Sequence, residues 1–211
     1  MYLIQPLFLG IITAIVGILP PGLINMTAAK VGLKEGKARA FVFAFGAVSI
    51  ILVQTFIALL FARFIDENPA IILLLREIGL LVFVVLTIYF FWTPKRIMPS
   101  DQIVKLHSKK NRFFYGMLLS TLNFFPIPFY VFVSVTFASF NYFQFENQLI
   151  CLFVFGSGIG SFFAFFCYIT FFKKLETKTA FILNNINYII GSITGLVSIV
   201  TLVNVIKYYY N

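Results

Sequence analysis

Residues 2–28 form an apolar run without a charged side chain, long enough to cross the hydrocarbon core of a bilayer as one helix. Its backbone is interrupted by Leu19-Pro20-Pro21-Gly22-Leu23-Ile24-Asn25. Each proline lacks an N–H and its ring crowds the preceding turn, so the carbonyls around Val16 and Gly17 lose their helical partners. Broken backbone at membrane depth survives only where protein encloses it or where it lines a polar cavity. In solute carriers, broken helices are where substrates are held. The stretch is therefore read as the working centre of the chain, against the plainer reading of a proline kink that only shapes helix packing.

The rest of the sequence repeats the apolar pattern. With 61% hydrophobic residues, 11% charged residues and a mean hydropathy of +0.98, the chain belongs to the all-α integral membrane class. Its 211 residues, joined by short loops, hold about six transmembrane helices and no appended soluble domain. The spans fall at about 2–28, 40–61, 70–92, 113–140, 149–172 and 188–206, in a single transmembrane domain over 1–211. The first run has neither a basic n-region nor a small-residue cleavage site, so it is read as a span and not as a signal peptide. Cys151 and Cys167 share one apolar run, about 24 Å apart along a helix and beyond disulfide reach.

The net charge of +9 does not mark a nucleic-acid partner, because the basic residues fall in three short loops. Lys30, Lys34, Lys37 and Arg39 follow span one. Lys95, Arg96, Lys105, Lys109, Lys110 and Arg112 follow span three, with the lone histidine, His107, among them. Lys173, Lys174 and Lys178 follow span five. The second and fourth loops carry no basic excess, so the positive-inside rule puts both termini outside and the basic loops in the cytoplasm. A three-plus-three arrangement with that topology is an inverted repeat. Matching interruptions support it: Pro20, Pro21 and Asn25 open one half, and Asn123, Pro126 and Pro128 open the other. Arg76-Glu77 interrupts span three near its start, where long side chains reach the headgroups or, in a second reading, a buried pair serves function.

Catalytic and metal-binding patterns are missing from the sequence: there is no H-E-x-x-H, no G-x-S-x-G and no cluster of His, Cys, Asp or Glu within a span. Neither an enzyme nor a cofactor or metal site is expected. What remains is a neutral polar lining. Pro20, Pro21, Gly22, Asn25, Asn123 and Pro126 are the candidate substrate-binding residues, because the Asn amides donate and accept while broken helices expose free carbonyls and N–H groups. Such a site suits a zwitterion, whose ammonium meets oxygens and whose carboxylate meets a half-helix start. Gln54, Glu77 and Ser157 are candidate coupling or lining residues. Gly156-x-x-x-Gly160 and Gly191-x-x-x-Gly195 are read as close helix contacts.

Several of these features together resemble the LysE-type amino-acid exporters. The Pro-Gly-rich break and Asn25 come first, then Gly36-Lys37-Ala38-Arg39-Ala40, then Phe45-Gly46-Ala47; in the second half Phe114-Tyr115-Gly116 leads to Leu122-Asn123, and Ile190-Gly191 with Gly195-Leu196 resembles the family's last helix. Asn25 is displaced from the place directly after the proline, two phenylalanines separate Asn123 from Pro126, and the acidic residue of span two in some members has no counterpart here. The resemblance implies export of small amino acids or related solutes across the cytoplasmic (inner) membrane, driven by the proton gradient. Its partners are a small-molecule substrate and the lipid bilayer, and a homo-oligomer is compatible with it. A non-transporting membrane scaffold, with the breaks as packing kinks, is the competing reading.

Overall fold

The structure, a computed structural model, describes residues 4–20, 22–68 and 109–184 together with parts of 77–92 and 188–206. These residues fall into two compact units, Met1–Phe64 with Ile103–Leu175, and Ile65–Gln102 with Glu176–Asn211. The elements are α1 (Ile4–Ile18), α2 (Leu23–Glu35), α3 (Lys37–Glu67), α4 (Lys109–Thr121), α5 (Pro126–Ser139) and α6 (Asn147–Asn184). No strand occurs among the described residues. α3 and residues Asn147–Phe171 of α6 are each long and apolar enough to cross a bilayer. The pairs α1–α2 and α4–α5 meet the same test jointly, bent by 79° and 62°. The described residues thus hold two unbroken candidate spans, and four if each bent pair is one span.

The helices are inside out for water. α1 exposes Ile4, Phe8, Ile12 and Val16 at four-residue spacing, while its buried side carries Pro6, Gly10, Thr13 and Ala14. α3 buries Ala44, Ala47, Gln54, Thr55, Ala58 and Ala62 and exposes Val53, Phe56, Ile57, Leu60 and Phe61. A soluble helix turns its large apolar stripe to the core. Here large apolar side chains also cover the outward face, while the inward face of α3 mixes small and polar residues with Phe43, Ile51 and Leu59, as expected where lipid covers the outside and close packing joins the helices.

Glycines set the crossings. A Cβ on Gly10 would overlap the carbonyl of Phe153, and Cβ atoms on Gly156 and Gly160 would overlap the carbonyls of Leu7 and Ile11. These contacts advance together along both chains, so α1 and α6 run in the same direction in near backbone contact. An equivalent crossing joins α3 and α4, where Gly46 meets the carbonyl of Phe113 and Gly116 meets that of Phe43. Gly156-x-x-x-Gly160 is therefore a packing motif. In the second unit, Gly191 lies against the Phe91 ring and Gly195 against Thr87, and Phe91 and Tyr188 have ring centroids 6.3 Å apart.

Two predicted loops are helical in the structure. Residues 30–39 read as a basic loop, yet α2 continues to Glu35 and α3 begins at Lys37. Their Lys, Ala, Leu and Glu content favours helix, and the chain turns at Gly36 alone, whose φ of 91° suits only glycine. Likewise Lys173 to Lys178 continue α6. Within the central loop, Lys109 to Arg112 form the first turn of α4, while residues 93–108 with His107 lie outside the described residues, as do Pro21 and Arg76.

Candidate functional site

At the first break α1 ends with Ile18 and α2 starts at Leu23, with Gly22 extended as its N-cap. The termini of two helices meet here, so unpaired carbonyls and N–H groups face each other across a few residues. The Asn25 side chain joins them. Its Nδ2 donates to Ile18 O at 2.7 Å and to Pro20 O at 2.9 Å, and its Oδ1 accepts from Gly22 N–H at 2.7 Å. Both amide hydrogens are committed to broken backbone, and the residue is 5% exposed. The Tyr168 hydroxyl, from α6, donates to Leu19 O at 2.7 Å.

At the second break the prolines play another part. Pro126 and Pro128 lie in the first turn of α5, where a missing N–H removes no helical bond. The carbonyls left behind by α4 are met from α3: Gln54 Nε2 donates to Ser120 O at 3.1 Å and to Asn123 O at 2.9 Å. Asn123 Oδ1 accepts from Phe125 N–H at 3.4 Å, a long local turn contact. Gly17, one turn before the first break, would collide with the Phe129 ring if it carried a Cβ. The end of α1 and the start of α5 are therefore adjacent, and the two breaks border one region.

Beside them lies a buried hydroxyl cluster. Thr55 on α3 and Ser157 on α6 have Oγ atoms 3.4 Å apart, and the Tyr130 hydroxyl of α5 faces Thr55, Ser161 and Ser157. Thr13 Oγ1, Ser161 Oγ, Ser120 Oγ and Gln54 Oε1 are buried without a hydrogen-bond partner. Unsatisfied buried polar atoms each cost about 1–3 kcal/mol.

Of the candidate residues, Pro20, Gly22 and Asn25 share the first break, Asn123, Pro126 and Gln54 share the second, and Ser157 lies in the hydroxyl cluster. Pro21 lies outside the described residues. Glu77 is helical and half-buried in the second unit. Tyr168 and Tyr130 give no sequence signal, since single tyrosines in aromatic-rich spans are unexceptional. Also unread in the sequence is a buried ion pair: Arg112 Nε donates to Glu35 Oε2 at 2.8 Å, its Nη2 pairs with Oε1, and its guanidinium sits 5.6 Å from the Tyr115 ring centroid. It ties the end of α2 to the start of α4.

A family model described as LysE type translocator matches residues 15–204. The chain belongs to the LysE type translocator family. The match runs from the last turn of α1 through both breaks and on into 188–206, so every described element of the site lies in it or borders it. No curated protein and no solved structure matches the chain. As a LysE type translocator, the protein is a multi-pass membrane protein of a transporter family. Its motif glycines Gly46, Gly116 and Gly191 have a physical role, since each stands at a close approach to another helix.

Proposed function

We propose that this LysE type translocator exports small amino acids or related solutes across the cytoplasmic membrane, with the solute held at the paired breaks. Six spans form two inverted three-helix repeats, and both termini lie outside. The supporting pattern is reciprocal. Leu7 and Gly10 of α1 meet Phe153, Gly156 and Ser157 of α6 with the same residue spacing by which Phe113 and Gly116 of α4 meet Phe43, Gly46 and Ala47 of α3. Each broken span thus crosses the second span of the other half, and that same second span holds its broken end, through Tyr168 on Leu19 O and through Gln54 on Ser120 O and Asn123 O.

The observation that carries the reading is the pair of interrupted spans, each with its broken backbone held by a polar side chain from another span. Helix-end carbonyls and N–H groups gathered at such a place suit the ammonium and carboxylate of a zwitterion. Pro20, Pro21, Gly22 and Pro126 supply that backbone and Asn123 its side-chain amide, with Asn25 fixing the shape of the first break and Ser157 lining the region. The proton gradient is the driving force that the family implies, and Glu77 is the one acidic side chain in a predicted span. The test is thermal unfolding of the purified protein against a panel of amino acids. A ligand that binds the folded state raises the midpoint with concentration. The reading requires such a response from at least one small amino acid, and Asn123→Ala should abolish it; a panel with no response contradicts the reading.

A further inference from the structure

The Thr55–Ser157 contact has an unusual polarity. Thr55 Oγ1 donates its hydrogen to Ile51 O at 2.8 Å, and Ser157 Oγ donates to Val154 O at 2.7 Å. Ser157 Oγ has one hydrogen, and its 2.7 Å bond to Val154 O outcompetes the 3.4 Å approach to Thr55 Oγ1, so the lone pairs of both oxygens turn toward each other and toward the Tyr130 hydroxyl. The 3.4 Å separation is long for O–H···O, which clusters near 2.7–2.8 Å. It matches instead two adjacent ligands of one cation: oxygens held about 2.4 Å from an ion, at a right angle, stand about 3.4 Å apart. Ser161 Oγ and Thr13 Oγ1 are buried and unpartnered, at 0% and 4% exposure. Ser161 faces the same Tyr130 hydroxyl as Thr55 and Ser157. Thr13 lies one turn beyond Gly10, whose backbone touches Phe153 and Ser157.

We infer that the hydroxyls of Thr55, Ser157, Ser161 and Thr13 form a binding centre for a small monovalent cation between α1, α3 and α6. The ligands are neutral oxygens, which suit an alkali ion or a primary ammonium group. A divalent ion, with its tighter hydration, is normally met by carboxylates, and among the described residues no group of three His, Cys, Asp or Glu side chains could hold a metal. The two sources share one chemistry, a compact single positive charge stripped of most of its water. This deepens the exporter reading and rests on it only for the ammonium source, which would be the solute's own.

The full chain in lipid nanodiscs is titrated with NaCl and, separately, with methylammonium chloride, each against N-methylglucamine chloride at constant ionic strength, with thermal unfolding as the readout. At least one cation raises the midpoint saturably. Ser161→Ala and Thr13→Val weaken that cation's apparent affinity by about tenfold. Removing either hydroxyl takes no hydrogen bond from the helix backbone, and an unchanged midpoint in N-methylglucamine chloride alone shows that both variants fold. Ser49→Ala, whose hydroxyl bonds only Phe45 O of its own helix, leaves the affinity unchanged. A response to Na+ identifies an alkali-ion centre and brings the sodium gradient into the coupling; a response to methylammonium identifies the seat of the solute's ammonium. No saturable response to either cation, or an unchanged affinity in Ser161→Ala, overturns the centre. Solute flux without cation binding removes this centre and leaves the exporter reading standing, whereas cation binding without flux does the reverse.

Discussion

Asn25→Ala separates a residue that builds the break from one that only touches the solute. The substitution removes three hydrogen bonds, to Ile18 O, Pro20 O and Gly22 N–H, all within a region where the side chain is 5% exposed. At about 1 kcal/mol net for each bond, the loss is about 3 kcal/mol. An isolated interhelical hydrogen bond in a membrane protein contributes about 0.6 kcal/mol, so Asn25 should stand well apart from the other polar residues of these spans. For a chain of this length the midpoint should fall by on the order of 10 °C. Thermal unfolding in nanodiscs and solute flux in proteoliposomes are measured on protein from one purification, with Ser49→Ala as the control that shifts neither. We expect stability and export to be lost together. Loss of export at an unchanged midpoint would refute the reasoning, since Asn25 would then be a solute ligand whose backbone bonds contribute nothing.

Gly10→Ala and Gly116→Ala place a Cβ on backbone carbonyls that cannot step aside, and each should destabilise by about 1–3 kcal/mol. Similar losses are expected from equivalent crossings, so a large difference in unfolding midpoints would count against the repeat. Glu35→Ala or Arg112→Ala leaves a buried partner uncompensated, their side chains being 1% and 4% exposed, and should cost about 3–5 kcal/mol. The double variant should recover most of that loss in a double-mutant cycle. Tyr168→Phe removes only the bond to Leu19 O; the expected loss is about 1 kcal/mol, and an unchanged midpoint would show that the first break needs no hold from α6.

Much of this organisation is legible in the sequence because it is local. The Leu19–Asn25 interruption, the second one near Asn123, and the apolar runs on either side each announce themselves within a few residues, and the structure breaks both helices there. The segments read as loops at 30–39 and 173–178 follow from counting charges, which mark topology but do not end a helix. Lys and Glu are good helix formers, and only Gly36 has the backbone freedom to turn the chain. The long-range partners are another matter. Arg112 counts in sequence as one more basic loop residue, and only folding brings Glu35, 77 positions away, against it. Tyr168 and Leu19 are separated by 149 positions. The hydroxyl cluster is similarly hidden, since one Ser or Thr in an apolar helix usually bonds its own backbone, and the exception emerges only when α3, α5 and α6 converge.

Export as proposed requires solute to pass through the region bordered by the two breaks. Counterflow in proteoliposomes tests it most directly: vesicles preloaded with unlabelled amino acid should accumulate the same labelled amino acid faster than protein-free vesicles, and Asn123→Ala should abolish the difference while still inserting. Folded, inserted wild-type protein that moves no amino acid above the protein-free rate would contradict the claim.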